Sequence, residues 1–389
     1  MLRKTLFWLH LTAGVTAGIV ILLMSVTGVF LAFERQIVSF AERDLRASAA
    51  DASRAPLPLS RIVAAAAAAA PEDAKASNVL VRSDRLAPVA VAFGREHTLF
   101  VNLYTGAVLG EGAKGVRGFF DANESLHRFL LLKGDARDRG KAITGAANLA
   151  FLFIVLSGLI LWIPRRRTRK AFRNVTLFRG GLRGRARDFN WHNVLGIWAF
   201  LPLVLVVFSG VVISYPWASR LVYRAFGATP PKPQGPGGGG PGGGGKLDLA
   251  QLDRLWNVAR SESARVAPRW QTISVRLPLS SKEPVSFAVD EGTGGRPDKR
   301  SQLMIDPKTA SVVEHKTYAT QNAGQRARAW LRWIHTGEAG GIAGQLIAML
   351  ASAAAMVLVY TGISLALRRL NRFLRGTPSP QLVEEESTA

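Results

Sequence analysis

Long apolar runs, separated by stretches in which apolar and polar residues alternate, organise this chain. Four runs contain no Asp, Glu, Lys or Arg: residues 5–33, 142–164, 189–219 and 339–367. Each exceeds the ~20 residues a helix needs to cross a bilayer. The pattern predicts an α-helical membrane protein with four transmembrane helices at 5–33, 142–164, 189–216 and 342–367. The first run is too long for a secretory signal and is closed by no small-residue cleavage site, so it reads as an uncleaved anchor. No helix reads as broken within its span.

The spans repeat in pairs. His10 is followed by Gly14 and then Thr27-Gly28, and His192 by Gly196 and then Ser209-Gly210, at identical spacing. Gly140 precedes Gly158 by the same interval that separates Gly344 from Gly362, and Ser157 and Thr361 stand just before the later glycines. His127 precedes the second span and His335 the fourth. The chain is therefore a two-fold repeat of helix, outer domain, helix.

The segments between the spans predict small α+β domains at 34–126 and 246–330. In the first, an alanine-rich helix at 59–70 ends at Pro71. Alternating strands follow near 78–81 and 89–93, then a hairpin over 98–109 turning at Tyr104-Thr105-Gly106. The second domain repeats the order: a helix at 249–261, strands at 272–277 and 285–289, and a hairpin at 302–313. The Gly/Pro run at 229–245 reads as a flexible linker.

Composition narrows the chemistry. The absence of cysteine excludes disulfides, iron–sulfur clusters and covalent c-type haem. The net charge of +23 suggests nucleic acid until its distribution is considered. Ten Lys/Arg and no acid fill the loop at 165–187, Arg3 and Lys4 precede the first span, and Arg368, Arg369, Arg372 and Arg375 follow the last. The positive-inside rule then puts both termini, the basic loop and the tail at 368–389 in the cytoplasm, with the larger segments outside. Membrane lipid, not nucleic acid, is the expected partner of this charge.

The segments LFWLHLTAG, ESLHRFLLL, NLYTGAVLGE, MIDPKTASVVE and RWIHTGEAGG resemble the PepSY-associated transmembrane family over nearly the whole chain. That resemblance implies PepSY-like folds for both outer domains, a bacterial inner-membrane location and similarity to reductases of ferric siderophores that carry two b-type haems. Ala310 stands where the family usually has glycine, so an altered turn is expected there. No flavin or nicotinamide domain is appended, unlike some relatives.

Read as chemistry, His10 and His192 fall near the cytoplasmic end of their spans, and His127 and His335 near the outer end. An 18-residue interval rises about 27 Å, so His10 cannot share one metal with His127. The expectation is two haem b groups, one ligated by His10 and His192 and the other by His127 and His335; the resemblance implies the same four axial ligands. Gly14, Gly196, Gly28, Gly210, Gly158 and Gly362 then either admit a flat macrocycle or serve ordinary small-residue packing. Arg128 and Arg332 adjoin the outer ligands, placed either for propionates or for snorkelling. Trp8, Trp191, Trp330 and Trp333 are interfacial belt residues or haem contacts. Asp121 to Glu124 resembles a capping pair opening a short helix that carries His127. His97 and His315 are expected to be ordinary surface residues.

These readings point to a haem-dependent metalloreductase that moves electrons across the bilayer to a periplasmic acceptor, by resemblance ferric siderophore iron. No catalytic acid or base is required. The donor is either quinol or a cytosolic reductase. The alternative is a non-catalytic, membrane-anchored module that binds a protease, peptide or envelope partner. A transporter built on the repeat is a third, weaker reading.

Overall fold

The computed structural model describes residues 1–94, 97–230 and 248–375. The linker at 229–245 from residue 231 onward and the tail from residue 376 lie outside the described residues. In chain order the first half holds α1 (Leu2–Leu31), α2 (Glu34–Ala41), α3 (Ala49–Ala52), α4 (Leu59–Ala69), β1 (Ala76–Arg82), β2 (Val89–Phe93), β3 (His97–Val101), β4 (Val108–Gly110), α5 (Lys114–Phe129) and α6 (Ala136–Trp162). Next come α7 (Arg169–Thr176), α8 (Gly184–Trp198), α9 (Phe200–Ser214), α10 (Pro216–Ala225) and α11 (Leu249–Val266). The chain closes with β5 (Thr272–Arg276), β6 (Val285–Asp290), β7 (Arg300–Ile305), β8 (Val312–Lys316), α12 (Ala323–His335) and α13 (Gly341–Leu374).

These elements form two units. The first comprises Met1–Glu34, Phe119–Ser219 and the chain from Ile334. Among its described residues, α1, α6 and α13 are each long and apolar enough to cross a membrane. The third span corrects the sequence reading: it is broken into α8 and α9, bent by 68°. Pro202 explains the break. It offers no N–H to the Trp198 carbonyl and its ring crowds that turn, yet in the first turn of α9 the missing donor costs nothing. Small residues let the spans approach. Ala351 and Ala355 of α13 pack with Val155, Ala199 and Leu203, and a Cβ on Gly18 of α1 would sit 3.3 Å from Ile363.

The second unit comprises Arg35–Gly118 and Arg220–Trp333. Its two predicted strand sets do not close separately. They form one eight-stranded antiparallel sheet in the order β4-β3-β2-β1-β5-β6-β7-β8. The junction is β1 against β5, with Leu80 opposite Ser274 and Asn78 opposite Arg276. Alternate residues build one core: Val79 and Val81, Val89 and Val91, Ile273 and Val275, Phe287 and Val289 are all buried beneath α4 and α11. The two helices are tied by Asp253, whose carboxylate accepts from the Ser60 amide at 2.8 Å and from its hydroxyl.

The two hairpin turns are alike despite Ala310. Asn102 accepts from the Tyr104 and Thr105 amides, and Asp306 from those of Lys308 and Thr309. Those two amides hold the Asp306 carboxyl below the usual carboxylate range. Gly106 takes φ +73° and Ala310 φ +56°. The expected alteration is absent because the side-chain-capped turn imposes a left-handed residue whether or not glycine fills it.

Candidate functional site

All four of the histidines assigned above to spans lie in the first unit. His10 is on α1, His127 near the end of α5, His192 in the middle of α8, and His335 closes α12. Each Nδ1 meets a Ser or Thr hydroxyl on a neighbouring helix. The distances are 2.9 Å for His10 to Ser157, 2.8 Å for His127 to Thr27, 2.9 Å for His192 to Thr361 and 3.4 Å for His335 to Ser209.

The direction of these bonds follows from counting protons. A hydroxyl has one to give. Thr27 donates its own to the Leu23 carbonyl at 2.8 Å, Ser157 to Ile154 at 3.2 Å, Ser209 to Leu205 at 2.6 Å and Thr361 to Val357 at 2.7 Å. The hydroxyl oxygen is left to accept, so the imidazole Nδ1–H donates. His335 confirms the direction independently, because its Nδ1 also lies 2.8 Å from the Val206 carbonyl, which can only accept. All four rings thus carry the proton on Nδ1 and keep the Nε2 lone pair for another partner.

The glycine after each hydroxyl lies beside the ring that the hydroxyl meets. A Cβ on Gly158 would stand 3.4 Å from His10 Cε1, on Gly362 3.4 Å from His192 Cε1, on Gly210 3.1 Å from His335 Cε1 and on Gly28 3.9 Å from His127 Cε1. Gly158 and Gly362 thus admit the edge of an imidazole, while a Cβ on Gly28 or Gly210 would first meet Ser352 Oγ at 3.2 Å or Asn148 Nδ2 at 2.8 Å. Gly14 has nothing within 4 Å and Gly196 only Leu358 at 3.9 Å, so these two alone leave open space one turn after a histidine. The earlier glycines of the second and fourth spans solve another problem. A Cβ on Gly140 would overlap the Phe129 carbonyl, and on Gly344 the Gly337 carbonyl. In each case the carbonyl belongs to the second residue after the histidine, so these glycines set how closely the histidine segment turns onto the next span.

The histidines gather in pairs drawn from different halves. The His127 and His335 rings lie in an edge-on arrangement with centroids 6.3 Å apart and planes at 63°. His192 lies within electrostatic reach of His10. Along α1, His10 and Thr27, which bonds His127, are separated by about 25 Å of helical rise. The 6.3 Å separation at His127 and His335 would leave room for a metal between the two rings. Among the described residues no three His, Asp or Glu side chains converge. A metal held by such a pair therefore takes its remaining donors from a group other than the protein, which a porphyrin supplies. The residues fit haem b.

Other predicted residues fall elsewhere. Arg128 pairs with Glu124 one turn back, and its guanidinium lies 4.9 Å over Phe129. Glu124 is thus no cap, and α5 begins earlier, at Lys114, with Phe120 buried beneath it. The Arg332 guanidinium lies 5.4 Å over Trp333, which Arg35 and Arg300 also flank. Trp333 is buried, unlike an interfacial belt residue, while Trp8 and Trp191 are exposed. Trp330 donates to the Tyr318 hydroxyl. His97 bonds Glu111 at 2.6 Å, and His315 is half-buried on β8 rather than on the surface.

Two groups of functional side chains escaped the sequence reading. The four hydroxyls were visible in the repeat, but their partners were not. Asp188, one turn before His192, is fully buried; it accepts from Ser364 at 2.7 Å and from Arg187 at 2.8 Å, and fastens α8 to α13. A cleft of about 470 Å³ opens beside this helix, lined by Phe178, Arg179, Trp191, Leu195 and Val357.

The family described as the PepSY-associated TM region matches residues 7–369. No curated protein is significantly similar to the chain.

Proposed function

The chain belongs to the family of PepSY-associated TM regions, and from that premise we propose that it is a di-haem b oxidoreductase carrying electrons across a bacterial inner membrane. The observation that supports this most is the pair of imidazole pairs, each ring with its Nε2 free, about 25 Å apart along α1. When bound, haem b supplies reversible one-electron chemistry at iron. The protein residues do the rest. Ser157 and Thr361 orient His10 and His192 at one site; Thr27 and Ser209 orient His127 and His335 at the other. The apolar spans bury both sites and so help set their potentials.

With both termini and the basic loop cytoplasmic, electrons enter at His10/His192 from quinol or a cytosolic reductase and leave at His127/His335. The acceptor is a periplasmic ferric chelate, by family a ferric siderophore. Each electron converts one Fe(III) to Fe(II), which the chelator holds less tightly. Purified protein is expected to show a b-type spectrum with about two haems per chain, reoxidised on mixing with ferric chelates. A colourless preparation from haem-replete cells sinks the proposal. The rival, an anchored module whose sheet unit binds an envelope partner, gains if His10→Ala and His127→Ala both leave the optical spectrum unchanged.

A further inference from the structure

We infer that Thr27, Ser157 and Thr361 are positioning residues that set the two centres separately, each acting on a ring at the opposite end of its own span from that span's histidine or histidine-bearing turn; Ser209 holds the matching place at His335, where the Val206 carbonyl is the nearer acceptor. The inference rests on the di-haem reading and deepens it.

The wiring carries the argument. Ser157 serves His10 and Thr27 serves His127, both bonds within the first half of the chain; Thr361 serves His192 and Ser209 serves His335, both within the second. The pairs that would share an iron instead join the halves, His127 with His335 and His10 with His192. Each half therefore aims its own two rings, and a metal group joins one half to the other. A consequence is that α1 carries a histidine for one centre and, at its far end, the hydroxyl for the other. The span α8–α9 does the same with His192 and Ser209.

Each hydroxyl is itself locked. Its proton is spent on its own helix, and the following glycine leaves room for the ring to seat against it: an added Cβ would lie 3.1 Å from His335 Cε1 at Gly210 and 3.4 Å from His10 and His192 Cε1 at Gly158 and Gly362. An acceptor fixed against Nδ1–H makes Nε2 a stronger donor to metal and holds it in one tautomer. Stronger donation favours the ferric state, so each hydroxyl lowers the potential of the centre it serves. Losing a partner of this kind costs roughly 10–100-fold in metal affinity.

The test uses the full-length holoprotein and reads redox potential and spectrum, not activity alone. Thr27→Val, isosteric but without the hydroxyl, is expected to raise the midpoint of the His127/His335 centre. It should leave the His10/His192 centre, whose ligand shares its helix, where it was. Ser157→Ala should do the reverse, and Thr27→Ser should restore the wild-type value. Histidine ¹⁵N spectra of haem-free protein give a second readout: wild type is expected to show Nε2 unprotonated, and Thr27→Val a mixture of tautomers at His127. Equal shifts of both centres, a shift of the wrong centre, or no shift in either variant overturns the inference. A wild-type protein without haem, by contrast, overturns the functional proposal and leaves the ¹⁵N result to decide the hydrogen bonds.

Discussion

Single atoms decide much of this protein. The hairpin turns offer a controlled pair, because Gly106 and Ala310 hold the same left-handed position at φ +73° and +56°. A Cβ there costs about 1–2 kcal/mol, of which glycine's freer unfolded chain returns a part. Ala310→Gly is therefore expected to stabilise by up to about 1 kcal/mol. Gly106→Ala should destabilise by up to about 1 kcal/mol on the same account, with Leu57 at 3.3 Å from the new Cβ adding crowding. Thermal unfolding in detergent checks both signs, and a lower Tm for Ala310→Gly would refute the account. Gly14 gives a different contrast. Nothing in the protein lies within 4 Å of its missing Cβ, and alanine favours a helix interior over glycine, so Gly14→Ala should not lower the Tm but should alter the band of one haem. An unaltered spectrum would mean the open space beside Gly14 is not where the macrocycle lies.

Helices meet here through backbone contacts and through a buried carboxylate that accepts from a neighbouring helix. Gly140 and Gly344 bring the Phe129 and Gly337 carbonyls against the second and fourth spans. Adding a Cβ forces these segments apart, at about 1–3 kcal/mol or more. Gly140→Ala and Gly344→Ala are thus expected to lower the Tm and to disturb the His127/His335 band before the His10/His192 band. A change confined to the latter would contradict the geometry. At the other end Asp188 is the buried acid between α8 and α13, bonded to Ser364 and Arg187. Asp188→Asn removes a charge-assisted hydrogen bond worth about 1.5–3 kcal/mol. The expected result is a lower Tm with faster loss of haem from the His10/His192 centre; an unchanged Tm would show that the clasp contributes nothing.

Across the whole molecule, the duplicated halves share two structures: a sheet joined at β1 and β5, and two histidine pairs joined across the repeat. Pairing across halves makes mutations non-additive. His10→Ala and His192→Ala are each expected to lower the content from about two haems per chain to about one, and the double variant should lose no more. The same should hold for His127→Ala with His335→Ala. Haem content measured after extraction checks this. Four single variants with four different spectral losses would argue for ligation within halves.

The sequence by itself marked the apolar runs, the matched spacings within them and the strand segments between them, because apolar length and residue period are local properties that need no partner. It also placed four histidines beside the spans and put a hydroxyl and a glycine at identical intervals after His10 and His192. The bend at Ala199 was legible in Pro202 but hidden by an unbroken apolar run. Only the tertiary structure decided which hydroxyl serves which ring, since Ser157 is bonded to a histidine 147 positions away and Thr361 to one 169 away. Only it showed that Ala310 keeps a glycine turn, that Gly158 and Gly362 seat imidazole edges, and that eight strands make one sheet. Those outcomes depend on which surfaces meet once the helices pack, and intervals along a chain carry no information about rotation around a helix axis or about the strand on the far side of a sheet edge.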